Sequence, residues 1–482
     1  MRFFAATLGC KVNQYETQMI ADTLVSRGHE RSGKAEDCDV CIINTCAVTA
    51  ESARKSRQAV RRLKKAAPGA LTAVCGCLSQ LEHSAPAALG ADITGGSGGR
   101  YEFALEVEKC FYETSANKSM TAERQAKILV DDPAIRDVFE ELPPFVLADI
   151  SPDAPPDSPP PFVLADMPHN EPLPAEAQPR AVTAGRTRAL LKIQDGCDNY
   201  CAYCVIPYAR GRARSLPLAR AADQARRLEG QGFREIVVTG IEISSYGGDL
   251  DDKPTLTSVL REISAAAPHA RLRLGSLDPR IVTEEFCREL SGIGRICDHF
   301  HLSLQSGCDE TLRRMGRSYD TGLVRDAVSA LRNYYPDCGL TADLIVGFPG
   351  ETEDEFDSTI RFIKSLAFSD MHIFPFSARP GTRAAALPHQ LEKSIKSERA
   401  RAAAAVAAGM AHEFISGLTG KTVEVLFERK RDGFWTGHSG NYVEVTAESG
   451  GARNALRKVL VTGADGGRVL GKIICEQDTL VI

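Results

Sequence analysis

Residues 189–204 read Ala-Leu-Leu-Lys-Ile-Gln-Asp-Gly-Cys-Asp-Asn-Tyr-Cys-Ala-Tyr-Cys. The apolar run at 189–194, stopped by Gly196, predicts a short buried strand. Cys197, Cys201 and Cys204 follow it in one loop at CxxxCxxC spacing. Three thiolates at i, i+4 and i+7 suit three corners of a cubane iron–sulfur cluster. A structural zinc site needs four ligands, commonly as paired CxxC units, and no fourth Cys or His lies near this triplet. One iron is therefore left open. An open iron chelates the amino and carboxylate groups of S-adenosylmethionine and passes one electron to its sulfonium, and homolysis then gives a 5′-deoxyadenosyl radical.

Beyond this loop, strands alternate with helical stretches. Further strands are expected at 235–239, 271–275, 300–304, 341–346 and 371–376. Six βα units in roughly 200 residues predict a (β/α)6 partial TIM barrel with its site at the carboxyl-terminal rim. The loops after these strands are chemically loaded: Thr239-Gly240-Ile241-Glu242, Gly275-Ser276, Gln305-Ser306-Gly307 and Gly347-Phe348-Pro349-Gly350-Glu351. Tyr203, Gly240, Glu242, Ser276, Gln305 and Gly347 are the candidates for contacts with S-adenosylmethionine. Tyr203 is placed to shield its adenine, and the Gly347 loop lets backbone approach it.

Upstream, Arg2–Thr7, Val40–Ile43 and Leu71–Val74 read as strands with helical segments between, a βαβ pattern that implies a parallel sheet. Cys10, Cys46 and Cys77 each lie just past the end of one of these strands. Ligands of open α/β sheets bind beyond the carboxyl ends of strands, so three distant cysteines can converge there. Between the two α/β regions, Pro143–Asp149 recurs as Pro160–Asp166 in a Pro-rich acidic stretch that reads as an extended linker. After a helix at about 391–417, Gly420–Ile482 reads as short strands at Thr422–Phe427, Tyr442–Val445, Lys458–Val461 and Arg468–Ile474, a small β-barrel. The fold class is thus α/β, with domains expected at 1–125, 186–417 and 418–482 and a linker at 126–185.

Composition bounds the function. The 482 residues are 43% hydrophobic and 25% charged, as in globular proteins, and a net charge of −5 argues against coating nucleic acid by overall charge. No apolar stretch approaches the roughly 20 residues that span a bilayer. The start, Met1-Arg2-Phe3-Phe4, lacks the regions of a signal peptide. A cytoplasmic protein with no membrane partner is expected, and in that reducing compartment the clustered members of its 15 cysteines suggest metal or redox work.

Longer motifs carry a resemblance. Thr7-Leu8-Gly9-Cys10-Lys11-Val12-Asn13-Gln14-Tyr15-Glu16-Thr17, Asn44-Thr45-Cys46-Ala47-Val48-Thr49 and Gly76-Cys77-Leu78-Ser79-Gln80 resemble three cluster loops of the radical S-adenosylmethionine methylthiotransferases. Gln194 through Gly211, His301–Gly307 and Leu312–Met315 resemble that family's radical core. The resemblance covers about 1–110 and 185–482. It implies a second [4Fe-4S] cluster on Cys10, Cys46 and Cys77, whose open iron holds a sulfur to be methylated and inserted. Cys75 competes for the third position, but only Cys77 follows the Gly-Cys pattern. Gly240 and Glu242 resemble the Gly-Gly-Glu element that receives the methionyl amine. One S-adenosylmethionine would methylate the sulfur, and a second would supply the radical that activates a C–H bond. No catalytic side chain beyond the ligands is required, and His299 and His301 read as core or rim residues.

The first and second loops are similar to the branch that acts on N6-threonylcarbamoyladenosine beside the tRNA anticodon, at position 37. The alternatives are isopentenyladenosine in tRNA and a ribosomal-protein aspartate. Arg54, Arg57 and Arg61 on a basic helix, and Arg429, Lys430 and Arg431 in a C-terminal domain resembling the RNA-binding TRAM barrel, are the candidates for RNA contact. Phe434 or Trp435 is a candidate for stacking on a base. An electron donor such as flavodoxin or ferredoxin is implied as a further partner, and a monomer is expected.

Overall fold

Parallel strands buried on both faces read as continuous apolar runs, and Val40-Cys41-Ile42-Ile43 is such a run. In the computed structural model it begins β3 (Val40–Thr45), wholly buried, beside β1 (Arg2–Thr7), β2 (Glu30–Arg31), β4 (Leu71–Gly76), β5 (Ile93–Gly95) and β6 (Lys127–Leu129). The described residues are 1–116, 126–133, 136, 139–140, 187–448, 450–465 and 468–474, so the repeated Pro-rich segment lies outside them. The six strands pair in parallel in the order β2-β1-β3-β4-β5-β6. Phe3, Ile20, Leu24, Ile42, Ala73, Cys75, Phe103 and Val107 fill one core under this sheet.

One expectation is corrected here. Lys127–Leu129, read as the start of the linker, is the sixth strand: it pairs with the otherwise open edge of β5, and Leu129 packs on the core.

The chain continues into β7 (Arg188–Lys192) and then the short antiparallel ladder β8 (Gln194–Asp195) with β9 (Arg214–Ser215). The chain divides into two units. The first takes the described residues of Met1–Gly185 with Gln194–Tyr200 and Cys204–Leu216; the second takes those of Arg186–Ile193, Cys201–Tyr203 and Pro217–Ile482.

In the second unit, β10 (Glu235–Thr239), β11 (Arg271–Leu274), β12 (Ser276–Leu277), β13 (His299–Gln305), β14 (Gly339–Val346) and β15 (Asp370–Pro375) follow β7, all in parallel. Neighbours in sequence are neighbours in space, as a barrel requires. The structure differs from one continuous six-stranded sheet. Gly275 interrupts the third strand, giving ladders β11-β10-β7 and β12-β13-β14-β15. Helices between the strands start where the sequence supplies caps: Thr255, Thr283, Asp320 and Thr352 each accept from a backbone N–H of the first turn.

The last strands, β16 (Thr422–Arg431), β17 (Phe434–Ser439), β18 (Glu444–Ala447), β19 (Leu456–Asp465) and β20 (Arg468–Ile473), close into a barrel. Four were expected. β17 escaped the reading because Phe434-Trp435-Thr436-Gly437-His438-Ser439 lacks clean alternation, and Gly437 is there because a Cβ would sit 2.0 Å from the Leu426 carbonyl oxygen.

This barrel is fastened to the floor of the partial barrel by buried charge. Glu235 accepts from Arg271 at 2.7 Å and from Arg273 at 2.7 Å. The same two guanidiniums donate outward to the carbonyls of Glu424, His438, Ser439 and Gly440 at 2.8–2.9 Å. No described helix is long and apolar enough to cross a membrane.

Candidate cluster sites

The first unit brings Cys10, Cys46 and Cys77 to one end of its sheet. Cys10 is the residue before the helix Lys11–Ser26, Cys46 follows β3, and Cys77 opens the short helix Cys77–Leu81 directly after β4. The turns are tight. A Cβ on Gly9 would lie 3.1 Å from the Cys46 sulfur, and one on Gly76, at φ +102°, 2.4 Å from Asn44 Oδ1. Glycine at 76 is what allows the chain to leave β4 and present Cys77. Each of the three thiols acts electrostatically on another, and burial raises all three pKa values, with Arg210 opposing it. Cys10 nevertheless keeps solvent access. Cys75 sits elsewhere: it shares the core with Ala73 and Ile93, where burial lifts its thiol to about 11. Three thiols with one side open suit a cubane whose fourth iron is free.

Around these cysteines lies a polar network that sequence reasoning missed. Arg210 is wholly buried and donates to Glu16 Oε1 at 2.6 Å, to Asn13 Oδ1 at 2.9 Å and to Asp195 Oδ1 at 3.1 Å. Buried Arg100 adds a bond to Glu16 Oε2 at 3.2 Å. The signal was present: Asn13 and Glu16 follow Cys10 at three-residue spacing, and Arg210 follows Cys204 by six. Burial of those charges is a tertiary property with no local signature.

The radical loop starts in the same unit. Gly196, at φ +72°, admits no side chain: a Cβ would lie 1.7 Å from the Arg212 carbonyl oxygen. The Cys197 N–H donates to the Gly211 carbonyl at 3.1 Å, and the Ile206 N–H approaches the Cys204 sulfur at 3.4 Å. In the second unit, Arg317 Nη1 lies 3.1 Å from the Cys201 sulfur while Nη2 is held by Asp278 at 2.9 Å. Both contacts place N–H donors against sulfurs of the loop.

The six candidates for S-adenosylmethionine contact all fall in the second unit, at or beside the carboxyl ends of its strands. Tyr203 packs against the cluster of Met315, Phe348, Phe376 and Ala384. Gly240 follows β10, and Glu242, whose carboxyl burial pushes up in pKa, accepts from the Ser244 N–H at 3.0 Å. Ser276 is exposed at the start of β12. Gln305 ends β13 at φ 66°, a left-handed conformation that a glutamine adopts only where its surroundings enforce it. Gly347 follows β14 at φ +72°; its N–H bonds Glu351 Oε2 at 2.6 Å, and Arg399 grips the same oxygen at 2.7 Å.

His299 and His301 lie inside the partial barrel, both bonded to Thr341 Oγ1, and His301 continues to Asp343 at 3.4 Å. His372 meets the other oxygen of that carboxylate at 3.3 Å.

The basic candidates are surface residues with acidic neighbours. Arg54 pairs with Glu51 at 2.6 Å, Arg57 with Glu82 at 2.5 Å, and Arg429 with Glu444 at 3.2 Å. Arg61, Lys430 and Arg431 are exposed. Exposed pairs contribute about 0–1 kcal/mol. Trp435 packs against the barrel core, whereas Phe434 is 39% exposed.

Comparison with known proteins completes the picture. Residues 191–363 match the radical SAM superfamily, and residues 2–93 match a family described as uncharacterized protein family UPF0004. The threonylcarbamoyladenosine tRNA methylthiotransferase MtaB of Bacillus subtilis is 32% identical over 94% of this chain and 91% of its own length. Its counterpart in Chlamydia pneumoniae is 32% identical over 98% of each chain. A tRNA-2-methylthio-N(6)-dimethylallyladenosine synthase from Pelotomaculum thermopropionicum is 28% identical over 95% of this chain and 94% of its own. Among solved structures, the radical S-adenosylmethionine methyltransferase TsrM from Kitasatospora setae shares the fold, with a TM-score of 0.52 at 14% identity over 90% of this chain and 80% of that one. The chain belongs to the radical SAM methylthiotransferases, in the threonylcarbamoyladenosine tRNA methylthiotransferase branch.

Proposed function

We propose that this enzyme converts N6-threonylcarbamoyladenosine at position 37 of tRNA, next to the anticodon, to its 2-methylthio derivative. The observation that carries it is full-length identity of 32% to relatives named for that substrate, with both cysteine sets present. The dimethylallyladenosine synthases, at 28% and 30%, match less well than the threonylcarbamoyladenosine relatives at 32% over nearly the whole chain, so that reading is not favoured.

The cofactors are S-adenosyl-L-methionine and two [4Fe-4S] clusters. When bound, they supply an electron, a methyl group, a sulfur and a 5′-deoxyadenosyl radical. Cys197, Cys201 and Cys204 would hold the radical cluster, and Cys10, Cys46 and Cys77 the second. Arg317 and the Ile206 N–H donate to sulfurs of the first set, and Tyr203, Gly240, Glu242, Ser276, Gln305 and Gly347 bind and orient S-adenosylmethionine. Arg54, Arg57, Arg61, Arg429, Lys430 and Arg431 engage RNA phosphates, which position the tRNA without reading its sequence. Phe434, exposed at the barrel edge, is the better placed of the two aromatics to stack on a base. A low-potential protein such as flavodoxin or ferredoxin donates the electron to a monomeric enzyme in the cytoplasm.

The direct assay uses purified, cluster-loaded enzyme with reductant and an anticodon stem-loop carrying either N6-threonylcarbamoyladenosine or isopentenyladenosine. 5′-Deoxyadenosine and a methylthio product from the first substrate alone are expected. Product from the isopentenyl substrate alone would reverse the assignment, and no 5′-deoxyadenosine from either would refute radical chemistry.

A further inference from the structure

Arg210, like Arg100, is a wholly buried cation of the first unit. Its two terminal nitrogens are fully engaged by Glu16, Asn13 and Asp195. Its remaining N–H, on Nε, is buried without a well-aligned acceptor, and the Arg210 side chain also hydrogen-bonds the Cys77 side chain. A buried donor left short of an acceptor costs about 1–3 kcal/mol, so this one is better satisfied by sulfur gathered at these thiols. The charge of this guanidinium acts on Cys10 and Cys77, and more weakly on Cys46. Asn13, which holds Nη2 at 2.9 Å, is itself 3.6 Å from the Cys10 sulfur.

We propose that Arg210 is the counter-ion of the second cluster, giving its charge and its Nε hydrogen to a cluster sulfur. The inference rests on the assignment of Cys10, Cys46 and Cys77 as that cluster's ligands. Glu16 and Asp195 fix the plane of the guanidinium, so the donor is preorganised. Arginine is suited to this because its rigid fork satisfies two carboxylates and an amide while still presenting a third direction of donation. The electrostatic consequence follows directly. Reduction adds negative charge to the cluster, and a fixed positive charge with an N–H···S bond in a low-dielectric surround stabilises the reduced form and raises its potential. Asp195 lies two residues before Cys197, so the same guanidinium also anchors the entry to the radical loop. Arg210 is in this account a positioning residue, acting on the cluster and not on substrate.

The experiment isolates the second cluster by using full-length protein with Cys197→Ala, Cys201→Ala and Cys204→Ala, then follows its redox titration by electron paramagnetic resonance. Glu16 keeps Arg100 as a partner when Arg210 is replaced, so the informative variant is Arg210→Gln, alongside Arg210→Lys. Arg210→Gln is expected to titrate at a lower potential than its parent, with Arg210→Lys in between. Should Arg210→Gln fail to fold, pulsed resonance on otherwise unaltered, 15N-arginine-labelled protein decides the matter, and one coupled arginine nitrogen is expected on the reduced second cluster. An unchanged potential, or the absence of that coupling, would overturn the role of Arg210. A sample of the isolating variant that carries no iron would instead overturn the second-cluster assignment on which the inference stands.

Discussion

A variant carrying Cys10→Ala, Cys46→Ala and Cys77→Ala is expected to fall from about eight irons per chain to about four, the loss of one cubane of two. It should make no methylthio product while still cleaving S-adenosylmethionine under reducing conditions. The reasoning is positional. The three thiols are gathered at one end of the first sheet, and the CxxxCxxC loop is built around Gly196 and the Gly211 carbonyl. Removing one set therefore leaves the other loop's backbone bonds in place. Cys75→Ala, in the core beside Ala73, is the matched control and should keep both clusters at a cost in stability alone. Iron analysis with product chromatography checks this, and an iron content unchanged in the triple variant would refute the second site.

The second large effect concerns stability. Glu235→Gln is expected to destabilise the second unit by about 3–5 kcal/mol, because it leaves Arg271 and Arg273 buried without their counter-charge. Burial alone would raise the Glu235 pKa, but Arg273 and Arg271 overcome it and hold the carboxyl at about 2, against an ordinary 4.5. A folded-state pKa below the unfolded one contributes stability above pH 4.5 that is lost as pH falls from 4.5 toward 2. The size of that acid limb is on the order of 3 kcal/mol. Denaturation followed across this pH range should show the limb in the parent and its absence in Glu235→Gln. Since the same arginines hold four backbone carbonyls at the entry to the C-terminal barrel, that barrel should become the first target of limited proteolysis. Resistance to the protease equal to the parent's would show the arginines to be incidental to its attachment.

Much of the fold was legible in the chain because its strands are short, apolar and punctuated. Val40–Ile43, Leu71–Val74, 235–239 and 341–346 each became a strand of parallel sheet. What escaped were features decided by neighbours. Lys127–Leu129 is a strand because β5 offers an open edge, and Phe434–Ser439 is one because a barrel must close. The cysteine loops were legible for a different reason: a glycine at φ +72° or +102° beside a thiol leaves a direct mark in the sequence. The Arg210 network was not, since a buried arginine is spelled like an exposed one. The basic helix shows the converse: the sequence offers Arg54 and Arg57 as candidates for RNA contact, and Glu51 and Glu82 already face them.

The central claim is the identity of the modified nucleoside. Mass spectrometry of total tRNA nucleosides from a strain deleted for this gene, beside its parent, tests it most directly. The account predicts that 2-methylthio-N6-threonylcarbamoyladenosine disappears and N6-threonylcarbamoyladenosine rises in its place, with both restored by the intact gene and not by the Cys10, Cys46, Cys77 variant. A nucleoside profile unchanged by the deletion would contradict it.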